Sequence, residues 1–428
     1  MPNLNRRHAS PLTRTTLAIA VLVLCAFTSG WAEEKTLVTF KGSNGEGPIA
    51  PVVFDVTGNL YGITCEGGAN GNGIVFKLTP SSHGAWKESV LYSFPTSHNP
   101  KNPWGPASGV IFDAAGNLYG TTYYGGSSVG TYYCPMGCGT VYKLTPTASG
   151  AWKETTLYSF KEEADGGNPA ASLVFDNKGN LYGTTTYGGT FSGDCPNGCG
   201  TVFELTPTTS GPWKESVLHS FTGSTVAGDG MNPQDNLTFD VLGNLYGTAG
   251  GGAFSSGVVF ELSPASGGWS YAVIHSFPVP ALGGIDGAYP EAGVIADASG
   301  NLYGTTAGGG SLMLGTVFEL SPGAADWSST LLYSFQGLAD GADPKAPLVF
   351  DAAGNLYGTV TQDAGEGGVF ELSPSGSGSW IDSTVLAFEG TDGSIPYAGL
   401  VLDSEGNLYG TTEFGGSAQD GVVFEIAR

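Results

Sequence analysis

Asp176-Asn177-Lys178-Gly179-Asn180-Leu181-Tyr182-Gly183-Thr184-Thr185 reads as a tight turn running into a strand. Its kernel, Gly-Asn-Leu-Tyr-Gly, occurs seven times, starting at Gly58, Gly116, Gly179, Gly243, Gly300, Gly354 and Gly406, with copies 52 to 64 residues apart. In such a turn the Asp side chain accepts a backbone N–H two residues on, and glycine accepts a positive φ. Around the kernel each copy carries four strand-like runs in fixed order. In the third copy they are Leu173 to Asp176, Asn180 to Thr185, Thr201 to Leu205 and Glu215 to Phe221. They are dense in Val, Phe, Tyr and Thr and bounded by Gly and Pro, as strands are. A helical 3.6 period of useful length is absent.

Seven copies of a four-strand unit predict an all-β fold: a seven-bladed β-propeller of four-stranded antiparallel blades, whose radial repetition protects its sheet edges. An open solenoid competes, but the chain ends argue against it. Thr36-Leu37-Val38-Thr39-Phe40 matches the fourth strand of the repeat, whereas Val422-Val423-Phe424-Glu425-Ile426 matches the third. The last blade therefore lacks an outer strand and the N-terminus has a spare one. Pairing them closes the ring. The expected organisation is a signal peptide over 1–32 and the propeller over 33–428.

Three motifs recur in order: Asp-x-x-Gly-Asn-Leu-Tyr-Gly-Thr-Thr, Gly-Thr-Val-Phe-Glu-Leu-(Thr/Ser)-Pro and Val-Leu-Tyr-Ser-Phe. They resemble the GloVer tandem repeats of exported bacterial proteins with variable C-terminal surface anchors. The resemblance covers nearly all of the chain beyond the signal segment. It implies export and a repeat fold, and no activity. The sequence stops within a blade strand at Arg428, unlike the anchored members, so a soluble secreted or periplasmic protein is expected.

The N-terminal segment fits export. Arg6, Arg7 and Arg14 form a positive region, Leu17 to Phe27 an apolar run, and Gly30-Trp31-Ala32 a cleavage site after Ala32. The apolar run is about half the ~20 residues of a membrane span, which disfavours an uncleaved anchor. Leu24 before Cys25 disfavours lipidation, and the residues flanking Arg6-Arg7 do not strengthen a twin-arginine match. The chain carries 15 basic and 38 acidic residues; without the three arginines of the leader the balance is 12 − 38 = −26. Nucleic acid and anionic membrane are therefore not expected partners. A monomer is expected. The 70 Gly and 25 Pro could suggest low complexity, but 22 Phe, 19 Tyr and 8 Trp supply ample core.

In a ring closed this way, the loops between second and third strands share one face with the links between blades. The opposite face carries the tight turns and the repeated Trp86, Trp152, Trp213, Trp269, Trp327 and Trp380, read here as packing between blades. On the loop face blades 2 and 3 stand apart, with long loops and non-repeated aromatics. Trp104, Tyr123, Tyr124 and Tyr187 are the expected ligand contacts, with Tyr132, Tyr133 and Phe191 nearby; an extracellular glycan or a peptide or protein is the expected partner.

Cys134 with Cys138 and Cys195 with Cys199 flank Pro and Gly in matching loops, which suggests one small disulfide-closed loop each; a four-cysteine zinc site is the alternative. Cys65 is expected as a buried thiol. Asp165, Asp229, Asp286, Asp340 and Asp392 each open an Asp-Gly-x-x-Pro link. They read as turn formers, with calcium as a weaker possibility and no other cofactor expected. Four histidines follow the leader: His219 and His275 belong to outer strands, His83 to a turn on the opposite face, and only His98 to the loop face. No catalytic residue is assigned. The competing reading is a polysaccharide-active or lactonase-like enzyme using Glu66, Asp194, Glu291, Glu366 or Glu413.

Overall fold

The computed structural model describes residues 34–428 apart from 83, 97–101, 129–133, 192–194, 210, 224–227, 255, 280–285, 325, 338–339, 363–364 and 377. The expected signal segment, His83, His98, Tyr132, Tyr133 and Asp194 lie outside the described residues. Seven antiparallel sheets follow one another, each ordered from an inner two-residue strand to an outer one. Blade 3 is typical: Val174–Phe175, Leu181–Thr185, Thr201–Thr206 and Lys214–Ser220. The last sheet takes its outer strand from the N-terminus. β1 (Glu34–Thr39) pairs with β29 (Val422–Ile426), setting Thr36 opposite Phe424 and Val38 opposite Val423. The ring is closed.

The second strand is buried along its whole length, and its glycine has a steric reason. A Cβ on Gly183 would lie 2.7 Å from Phe203 Cζ, and the same phenylalanine faces the equivalent glycine in five other blades. In blade 2 that ring is Tyr142, fully buried, and its hydroxyl has no hydrogen-bond partner among the described residues. The core lies between blades rather than inside any one. Between blades 5 and 6, for example, Tyr303, Val317 and Phe335 pack against Leu348, Leu356 and Phe370. Full burial of such a side chain contributes about 1.5–3 kcal/mol.

Polar ties repeat with the packing. A second-strand threonine donates to a carbonyl of the next blade: Thr305 to Ala346 at 3.2 Å, Thr359 to Ala398 at 3.3 Å and, across the closure, Thr411 to Ala50 at 3.1 Å. The six repeated tryptophans serve packing too. Trp269 meets the Tyr182 ring of the preceding blade at 5.9 Å, and Trp86 meets Tyr409 across the closure at 6.2 Å. Among the described residues no helix is long and apolar enough to cross a membrane.

Candidate ligand-binding face

Each link into a blade first pairs with the end of that blade's second strand. The seven pairs all differ: Glu46–Glu66, Trp104–Tyr124, Gly167–Tyr187, Met231–Gly250, Ala288–Gly308, Ala342–Gln362 and Ser394–Phe414. The next residue has a positive φ, between 51° and 64°, at Gly47, Gly105, Asn168, Asn232, Tyr289, Asp343 and Ile395. Such a backbone is costly for a β-branched side chain. It persists because the N–H is held by the preceding blade: Ile395 donates to Glu366 O at 2.7 Å and Tyr289 to Ser256 O at 2.7 Å.

A proline follows, and then the residue that reaches the axis. Ile49, Ala107, Ala170, Gln234, Glu291, Lys345 and Tyr397, one from each blade, line an axial funnel of about 450 Å³. Blades 1 to 3 give its wall small or apolar groups, and blades 4 to 7 give it polar ones. The Lys345 ammonium lies 3.6 Å from Glu291, 3.2 Å from Asp343 and 5.5 Å from the Tyr397 ring centroid. Burial works against its charge, but the two carboxylates outweigh burial and raise its pKa. Deeper in the funnel Asp235 accepts from Gly293 N at 2.8 Å, and enclosure raises its carboxyl to about 6.

A second cleft, of about 430 Å³, opens between blades 1 and 2 and shares Ile49 and Ala107 with the funnel. Trp104, Tyr123, Tyr124, Cys65 and Glu66 line it. Trp104 stacks on Tyr124 at 4.5 Å and 18°, and Tyr123 stands at 74° to Tyr124, 4.9 Å away. The indole N–H of Trp104 is enclosed and has no acceptor among the described residues. Tyr187 does not line the cleft; it lies beside Tyr123 from blade 3, and burial first and Tyr187 second raise the Tyr123 phenol. Three of the four expected contacts therefore meet in one cleft, and the fourth adjoins it.

Disulfides join Cys134 to Cys138 and Cys195 to Cys199. Glu162 is only 5% exposed and approaches Cys134 Sγ to 2.7 Å, and burial raises its carboxyl to about 7. Cys65, expected to be buried, is half-buried in the cleft wall, where burial first and Glu66 second push its thiol up to about 12.

Four of the five link aspartates accept donors from their own loops. Asp165 accepts from Glu163 N at 3.3 Å, Asp229 from Thr222 N at 2.8 Å, Asp340 from Gln336 N at 2.8 Å and Asp392 from Glu389 N at 2.8 Å. Asp286 lies in the field of His275. Among the described residues no three of the five bring carboxylate oxygens within 4.8 Å of one another. His219, on an outer strand, stacks on Tyr271 at 3.7 Å. Of the described loop acids, Glu66, Glu291 and Glu413 line the two cavities and Glu366 does not.

Sequence reasoning missed the axial ring, although its signal was available as the residue after proline in every link. It also missed the Glu46–Glu66 pair.

No curated protein matches the chain. Solved structures give low similarity. A candidate oxidoreductase (glucose dehydrogenase) from Thermus thermophilus is 15% identical with a TM-score of 0.45, over 93% of this chain and 100% of that one. A Lactobacillus plantarum protein is 15% identical with a TM-score of 0.47, over 78% and 83%. A protein of unknown function from Dyadobacter fermentans is 12% identical with a TM-score of 0.41, over 74% and 93%. A family model for the Gloeobacter/Verrucomicrobia repeat matches residues 23–252, 131–295 and 248–428. Those matches together run through every blade, and the chain belongs to the Gloeobacter/Verrucomicrobia repeat family.

Proposed function

We propose that the protein is an exported, non-catalytic propeller that binds an extracellular glycan in the cleft between blades 1 and 2. The observation that carries this reading is the aromatic wall of Trp104, Tyr123 and Tyr124 around a cleft. Stacked rings offer flat apolar faces to a sugar. Tyr187 adjoins the wall at Tyr123. The competing enzyme reading, polysaccharide-active or lactonase-like, would draw on Glu66, Glu291 and Glu413 in the same cavities.

A glycan array on the protein lacking residues 1–32, followed by calorimetry on the hits, tests the proposal. Trp104→Ala should weaken binding by about 1–3 kcal/mol, the scale of an aromatic anchor. Trp269→Ala should lower the melting temperature and leave affinity unchanged. Normal binding by Trp104→Ala would place the site elsewhere, and product release from a bound oligosaccharide would favour the enzyme.

A further inference from the structure

The pair beside the aromatic one is the anomaly of this face. In blade 1 two glutamates, Glu46 and Glu66, stand opposite each other across an isolated antiparallel bridge. Like charges directly opposite across strands are destabilising. None of the other six pairs contains two like charges. Glu413 of blade 7 adds to the field at Glu66, and Asp420 to that at Glu46. Among the described residues no lysine or arginine lies within 4.0 Å of any of these four acids. Lys345, the cation of the neighbouring funnel, is already held by Glu291 and Asp343.

We propose that the cleft takes an amino sugar: an oligosaccharide whose rings carry protonated primary amines. The proposal rests on the glycan reading above and adds a charge to it. Two features of the cleft call for two features of the ligand. Glu66 lines the cleft without a lysine or arginine partner among the described residues, and an ammonium supplies a counter-charge. The faces of Trp104 and the two tyrosines attract cations and also pack on a flat ring. One amino-sugar unit carries both groups on a rigid frame. A lysine side chain brings the ammonium, but it loses more rotamer freedom on ordering and offers no flat face.

The test is calorimetry with a glucosamine tetramer and with its fully N-acetylated counterpart, which keeps the ring faces and hydroxyls and loses the charge. The charged tetramer should bind at least ~10-fold more tightly, with the margin shrinking as salt screens the pair. Glu66→Gln should erase the margin, whereas Trp104→Ala should weaken both. Equal binding of the two tetramers, with Trp104→Ala weakening both, would overturn the amine and leave the glycan reading standing. A margin that survives Glu66→Gln would reveal general attraction to an acidic protein and would also overturn the proposal. So would tighter binding of a lysine-rich peptide of the same charge. If neither tetramer binds, the amine proposal falls, and the array result then decides the glycan reading by itself.

Discussion

The two faces of the ring come from the same chain repeated seven times, and they differ in fidelity. On the turn face every blade solves one problem in one way. Asp176 accepts from Lys178 N at 2.8 Å and Asn180 N at 2.9 Å, and Asp351 and Asp403 hold their own turns through the equivalent pair of bonds. Burial disfavours the Asp176 charge, but these donors and the Tyr182 hydroxyl outweigh it and lower its pKa. On the loop face the same backbone path presents seven different pairs and six kinds of axial residue. A residue that recurs answers a demand common to all blades. A residue that occurs once is released from that demand and available for something asymmetric.

The comparison breaks most visibly if the repeated scaffold does not need its closure. Deleting Thr36 to Phe40 removes most of β1 and exposes the edge of β29. The melting temperature should fall by on the order of 10 °C, because an edge and an unfilled blade are left behind. A truncated protein that melts with the full one would show that the ring does not depend on its seal.

A smaller effect should come from buried acids of the outer strands. Glu215 is raised to about 7 by burial and then by Asp165, and Asp382 to about 6 by burial and then by Asp340. Glu215 Oε1 and Asp382 Oδ1 are buried without hydrogen-bond partners among the described residues. The folded state therefore binds protons at these groups that the unfolded chain releases near its ordinary carboxyl values of about 4. Their contribution is fully present below those values and is lost as pH rises through about 6 to 7. Thermal melts should show stability declining between about pH 4 and pH 7, and Glu215→Gln with Asp382→Asn should flatten that decline. The turn aspartates work in the opposite direction and lower. Their stabilisation is present above the ordinary carboxyl range and is lost only as pH falls through their depressed values. An unchanged slope in the double variant would remove these acids from the account.

The smallest effect concerns the one blade whose core ring carries a hydroxyl. Tyr142 has phenylalanine in its place in the other six blades, and its buried hydroxyl lacks a partner among the described residues. Tyr142→Phe should raise stability by about 1 kcal/mol in chemical denaturation. A loss would mean that blade 2 uses that hydroxyl.

This contrast also explains what could be read without coordinates. The fold was legible because its determinants repeat: Gly183 beneath Phe203, the aspartate turns and the offset between Thr36 and Ile426 are written several times or at both ends. The aromatic wall was legible in part, since Trp104, Tyr123 and Tyr124 stand out against the repeat. Which side of blade 2 they face was not, and Tyr187 consequently adjoins the cleft without lining it. The axial ring stayed hidden because Ile49, Glu291, Lys345 and Tyr397 have no residue type in common. Glu46 and Glu66 face each other through a single isolated bridge outside any strand run, so no periodicity announces their pairing.

The seal between β1 and β29 has a consequence in time as well as in space. It joins positions as distant in sequence as Lys35 and Glu425, 390 residues apart, whereas each blade otherwise assembles from neighbouring segments. Bringing distant ends together costs entropy that grows with the length of free chain between them. Once the blades have formed and stacked, little free chain remains, so sealing is cheapest as the final step of folding. A chain made from its N-terminus must keep Glu34–Thr39 unpaired until Val422–Ile426 exists. A product cut short anywhere before Val422 keeps two open edges, ready to pair with another chain. The ring thereby couples completeness of synthesis to solubility.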